Sequence, residues 1–97
     1  MSVYLVAQGR IDDQAMHDEY VEKALPTLPP EVRVIAFDLD PLVVEGPVTH
    51  PRTVILEFPS RESFQAWYDS PAYREVLPLR LNSVAGTLIV AEGFVPE

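Results

Sequence analysis

The side chains best suited to chemistry in this sequence are His17, Glu45, Arg52, Glu57 and Arg80, with an aromatic set of Tyr20, Phe64, Trp67, Tyr68 and Tyr73. An Arg guanidinium grips a carboxylate or enolate through two parallel hydrogen bonds, and a Glu or His nearby can move a proton. His17, Glu45 and Arg52 are therefore the candidate catalytic residues. His17 or Glu45 would transfer the proton while Arg52 or Arg80 holds an oxyanion; imidazole titrates near neutral pH, which suits that task. Each group also has a plainer use. A charge on an apolar strand is costly when buried alone. A Glu–Arg pair closing a hairpin is thus an equal alternative, and the sequence leaves open which Glu meets which Arg. His17, on an apolar helix face, is more often a satisfied core residue than a working base.

Phe64, Trp67 and Tyr68 stand at i, i+3 and i+4, one face of a helix. Such a stripe packs a core. It can also wall a pocket, because ligand sites are mostly apolar with a few placed polar groups. Tyr20, Phe64, Trp67, Tyr68 and Arg80 are accordingly the candidate ligand-binding residues, for a small apolar or aromatic metabolite.

Several chemistries are absent. His17 and His50 lie far apart in the sequence with no His-x-x-x-His pairing, so no metal is expected. No glycine-rich phosphate loop occurs among the 4 Gly, and no cofactor is implied. Ser60, in Pro-Ser-Arg, is a helix cap rather than a nucleophile elbow.

Around these residues the chain reads as alternating strands and helices. Val3–Ala7 is a strand signal, and Asp12 or Asp13 can cap the helix spanning Ala15–Leu25. Its apolar residues, Met16, Tyr20, Val21, Ala24 and Leu25, follow helical spacing, with His17 in the same arc. Pro26, Pro29 and Pro30 end it. Glu31–Asp38 is the second strand, interrupted by Asp40-Pro41 with a bulge expected there, and resumed by Leu42–Glu45. Gly46–Pro51 turns the chain into the third strand, Arg52–Phe58. Ser60 caps Arg61–Asp69, and Ser70-Pro71 opens a further helix from Ala72 to about Asn82, bent or split by Pro78. After Gly86 as punctuation, Thr87–Phe94 is the last strand. The order βαββαβ is the ferredoxin-like α+β arrangement, a four-stranded antiparallel sheet under helices.

The 97 residues make one domain, residues 1–97, with 47% hydrophobic and 23% charged residues, ordinary globular usage. With 7 Lys+Arg against 15 Asp+Glu the net charge is −8. That speaks against nucleic acid as a partner, and against anionic membranes. No Cys is present, which removes disulfides and thiol chemistry. No apolar run approaches a membrane span, and Met1–Ala7 does not read as a signal peptide. A soluble cytoplasmic protein is the default expectation.

Val3–Ala7, Val54-Ile55-Leu56 and Leu88–Ala91 are apolar at both parities, so both sheet faces call for cover while the helices cover one. A second copy laid against the free face, a homodimer through sheet faces, is the economical answer.

The run Glu57-Phe58-Pro59-Ser60-Arg61-Glu62, followed by Trp67-Tyr68-Asp69-Ser70-Pro71-Ala72-Tyr73 and then Arg80, resembles domain of unknown function 1330. Val44-Glu45-Gly46, Arg52 and Tyr20 fit the same pattern, and the resemblance spans nearly the whole chain. It implies the dimeric α+β barrel superfamily and no established activity. Members commonly carry an aromatic where this chain has His17, and often a Gly-rich turn where it has Pro29-Pro30. Two functions from different classes follow. One is a small-molecule-binding protein without chemistry of its own. The other is a cofactor-independent enzyme, like the monooxygenases and isomerases elsewhere in the superfamily.

Overall fold

The computed structural model describes residues 1–96, in which four strands form one antiparallel sheet ordered β2-β3-β1-β4. The strands are β1 (Val3–Ile11), β2 (Arg33–Asp38), β3 (Arg52–Phe58) and β4 (Val84–Glu92). Helix α1 (Gln14–Ala24) links β1 to β2, and α2 (Arg61–Tyr68) with α3 (Pro71–Ser83) link β3 to β4. This is the ferredoxin-like α+β architecture. Side-chain caps start all three helices: Asp13, Ser60 and Ser70 accept from the backbone N–H of Met16, Ser63 and Tyr73. Each cap satisfies an amide that would otherwise lack a partner at a helix start.

Strand register sorts the side chains into two faces. Toward the helices, one row across the sheet is Val34, Leu56, Leu5 and Val90, and the next is Phe37, Val54, Ala7 and Leu88. The core gathers Val3, Leu5, Ala24, Phe58, Phe64, Trp67, Tyr73, Val76 and Leu77. Phe58 meets Phe64 edge-on and Trp67 at a tilt, with ring centroids 5.4 and 5.5 Å apart. On the opposite face Ala36, Ile55, Val6 and Ile89 make one apolar row across all four strands. It is flanked by the rows Arg33–Glu57–Tyr4–Ala91 and Asp38–Thr53–Gln8–Thr87. Ile89 is 58% exposed.

Four expectations change. The second strand does not resume at Leu42–Glu45: residues 39–51 are irregular, and Leu42 is 89% exposed. The Asp38 carboxylate accepts from the Asp40 backbone N–H at 3.0 Å, and Pro41 offers no amide, so the strand ends there. The bulge lies instead at Ile35, between Val34 and Ala36. Gly86 is no turn but sits inside β4 opposite Gly9, where a Cβ would collide with the backbone of Gln8 and Gly9. The true left-handed glycine is Gly46, at φ 79°. Finally, α3 runs unbroken through Pro78, anchored on both sides by buried Tyr73, Val76, Leu77 and Ser83.

Candidate ligand-binding site

The helix-facing rows lose bulk toward the C-terminal end of β1. Ala7 and Gly9 follow Val3 and Leu5, and Gly9 stands opposite Arg52. Small residues on this floor leave space beneath the helices. The result is a cavity of about 140 Å³. Its floor is Leu5, Ala7, Val54, Leu56 and Leu88; α1 contributes His17, Tyr20, Val21 and Ala24, and the later helices add Trp67, Tyr73 and Arg80. Val34 and Phe37 on edge strand β2 complete the rim, each 57% exposed although both face the helix side, so the helix layer stops short of β2 and leaves a mouth. A second hollow adjoins it, sharing His17, Val21, Phe37 and Arg52 and edged by Asp18 and Glu22.

The polar heart is a contact between α1 and β3. His17, only 5% exposed, lies 3.1 Å through Nε2 from Arg52 Nη2. A guanidinium has donors only, so His17 Nε2 accepts, and the neutral ring carries its proton on Nδ1. Burial, and then the charge of Arg52, hold the imidazole below its ordinary pKa against the opposing pull of Asp18. Burial also lowers the Arg52 pKa. The guanidinium stacks over Phe37 at 5.4 Å, while its Nε is buried without a hydrogen-bond partner. Across the cavity the Tyr20 and Tyr73 hydroxyls are 2.9 Å apart, and burial raises both pKa values. Trp67 Nε1 donates to Thr27 Oγ1 at 2.9 Å, and that hydroxyl donates to the Ala24 carbonyl, fixing the indole in the wall.

The sequence-predicted residues divide. His17, Arg52, Tyr20, Trp67 and Arg80 meet at this cavity. Glu45 does not; it is exposed in the irregular 39–51 segment. Phe64 packs in the core against Phe58, and Tyr68 lies beneath the Arg74 guanidinium at 4.7 Å, so neither lines the cavity. The carboxylate of Glu57 turns to the other sheet face, pairing with Arg33 at 3.3 Å and accepting from the Tyr4 hydroxyl at 3.1 Å. Phe37 and Val34 were missed as lining residues. Their alternation on an edge strand was the available signal, but only the reach of the helices shows that they are uncovered. His50 is half-buried with Nδ1 closed off, away from the cavity. Among the described residues, no His, Asp or Glu group of three or more is placed to hold a metal ion, and no helix is long and apolar enough to cross a membrane.

Residues 2–94 match the family described as Domain of unknown function (DUF1330). The chain belongs to the DUF1330 family. Solved structures share the fold of this DUF1330 chain. A protein of unknown function, RPA0582 from Rhodopseudomonas palustris, superposes with a TM-score of 0.83 at 19% identity, covering 98% of this chain and 84% of its own. A dimeric ferredoxin-like protein of unknown function from Jannaschia sp. CCS1 gives 0.67 at 16% identity, covering 96% and 100%. A candidate antibiotic biosynthesis monooxygenase from Chloroflexus aurantiacus gives 0.56 at 12%, covering 100% and 97%. Curated proteins give no match. These likenesses carry the fold alone; the family has no established activity.

Proposed function

We propose that this DUF1330 protein is a homodimer that binds a small, ring-bearing, largely apolar molecule in the cavity under α1 and α3. The observation that carries the reading is the cavity itself: apolar floor, aromatic walls of Tyr20, Trp67, Tyr73 and Phe37, and a few fixed polar groups. Its size is close to that of an engineered cavity of about 150 Å³ that holds benzene. Dimer formation is supported by the apolar row Ala36–Ile55–Val6–Ile89 on the face the helices leave bare, and by the Jannaschia neighbour being described as dimeric. Trp67 is the sole indole, so its emission reports on the wall. Native mass spectrometry of freshly purified protein, with Trp67 emission followed against single-ring aromatics, tests the reading. A retained small molecule or a saturable emission change is expected; unchanged mass and emission across the series would count against the cavity.

The His17–Arg52 contact favours a second reading, a cofactor-independent enzyme in which the substrate's oxygen takes over the Arg52 N–H, freeing the His17 Nε2 lone pair to take a proton from a carbon acid while Arg52 holds the enolate oxygen. Glu45 has no part in it, being outside the cavity. Turnover abolished in His17→Gln with binding retained would select this reading over simple binding.

A further inference from the structure

Resting on that cavity reading, we propose that the ligand is an anion: a small ring-bearing carboxylate whose ring fills the apolar floor and whose oxygens meet Arg52 and Arg80.

The argument comes from where the charges are. Of the 7 Lys and Arg, five are in ion pairs among the described residues: Arg10 with Asp12, Lys23 with Glu19, Arg33 with Glu57, Arg61 with Glu92 and Arg74 with Asp69. Among the described residues, the two left without a carboxylate are Arg52 and Arg80. Both line the cavity. The chain carries 15 Asp and Glu, yet none of those among the described residues contributes to that wall. In so acidic a protein, carboxylates are the cheapest counter-groups to supply, and a partly buried guanidinium without one is costly.

Hydrogen-bond capacity points the same way. Arg52 spends Nη2 on a neutral ring nitrogen and leaves a buried Nε–H unused. Tyr20 and Tyr73 share one hydrogen bond, so one of their two hydroxyl protons remains to be donated. Both Tyr20 and Tyr73 feel the charge of Arg80, and Tyr20 feels that of Arg52 as well, which places this hydroxyl pair within the field of the unpaired cations. His17 Nε2, the imidazole acceptor in the wall, is already engaged. The side-chain lining is thus rich in donors and poor in acceptors. A ligand that only accepts, with two oxygens in a plane, is its complement. The overall charge of −8 does not forbid this, because salt screens exposed charges beyond about 8 Å. Asp18 and Glu22 edge the adjoining hollow that Arg52 also lines, without an ion pair to it, and Asp18 accepts from Gln14.

Benzoate, benzamide and benzylamine share a ring and differ in charge. Titrated into the full chain at millimolar concentrations, with Trp67 emission and ligand-observed NMR as readouts, benzoate should bind about tenfold or more tightly than benzamide, and benzylamine not at all. Arg52→Gln and Arg80→Gln should each lower benzoate affinity by about tenfold and benzamide affinity by clearly less, so that the preference for the anion shrinks. If Arg52→Gln does not fold, Arg80→Gln and the wild-type comparison carry the same decision. Benzamide or benzylamine binding as tightly as benzoate overturns the anion assignment while leaving the cavity reading intact. Failure of all three rings to bind overturns both.

Discussion

His17 accepts a hydrogen bond from Arg52 at 3.1 Å, across a gap of 35 in sequence, and the two residues join α1 to β3 at the wall of the cavity. The contact requires a neutral imidazole, since a protonated ring has no lone pair to offer and would face the guanidinium as a like charge.

That requirement has a sign. The folded pKa of His17 lies below the ordinary 6.5, so between the two values the unfolded chain binds more protons than the folded one. Stability is therefore full above 6.5 and is lost as pH falls through that value toward the folded pKa. Urea midpoints from about pH 7.5 down to about pH 5.5 should decline in the wild type and decline less in His17→Gln. Equal slopes in the two proteins would contradict the buried neutral ring.

The Tyr20–Tyr73 hydroxyl contact is a part-buried pair. Tyr20→Phe and Tyr73→Phe should each cost about 1 kcal/mol, and the double variant less than the sum, because the second substitution removes no remaining partner. Denaturant unfolding of all four proteins measures the coupling; additivity would mean the hydroxyls do not pair in solution.

Removing the indole strips the cavity wall and the centre of the aromatic cluster together. Trp67 stands 4.1 Å from Tyr73 by ring centroids and also contacts Phe58. Trp67→Ala is expected to cost about 3–5 kcal/mol, and Thr27→Val, which strips the acceptor from the indole N–H and the donor from the Ala24 carbonyl but keeps the indole, about 1–2 kcal/mol. Chemical denaturation ranks the two; a larger loss for Thr27→Val would mean that the hydrogen bond outweighs the packing.

Gly86→Ala places a methyl against the main chain of Gln8 and Gly9, which cannot swing aside as a side chain can. A loss of about 2 kcal/mol or more is expected, with hydrogen exchange rising first along the β1–β4 ladder. A neutral outcome would show that β1 and β4 can part enough to admit the methyl.

Ile89→Lys sets a charge in the row Ala36–Ile55–Val6–Ile89, leaving the helix-facing core untouched. Sedimentation equilibrium should find a dimer for the wild type and a monomer for the variant. A monomeric wild type at micromolar concentration would remove the sheet-face dimer.

Much of this architecture follows from short stretches of sequence. The apolar runs, the caps at Asp13, Ser60 and Ser70, and the helical spacing of Phe64, Trp67 and Tyr68 act within a few residues, so local propensity and hydrogen bonding specify them wherever the chain goes. The placement of His17 on the buried arc of α1 was legible for the same reason. Partner choice among charges was not. Arg33 and Glu57 meet because β2 and β3 register them side by side, and Arg52 meets His17 because Gly9 and Ala7 open the floor beneath α1. Glu45 fell away from the site because an Asx turn and a proline end β2 before it, leaving no strand to carry it back. The two cations stranded in an acidic chain emerge only from the ion-pair arrangement, since pairing depends on distances between residues remote in sequence, and composition reports their sum alone.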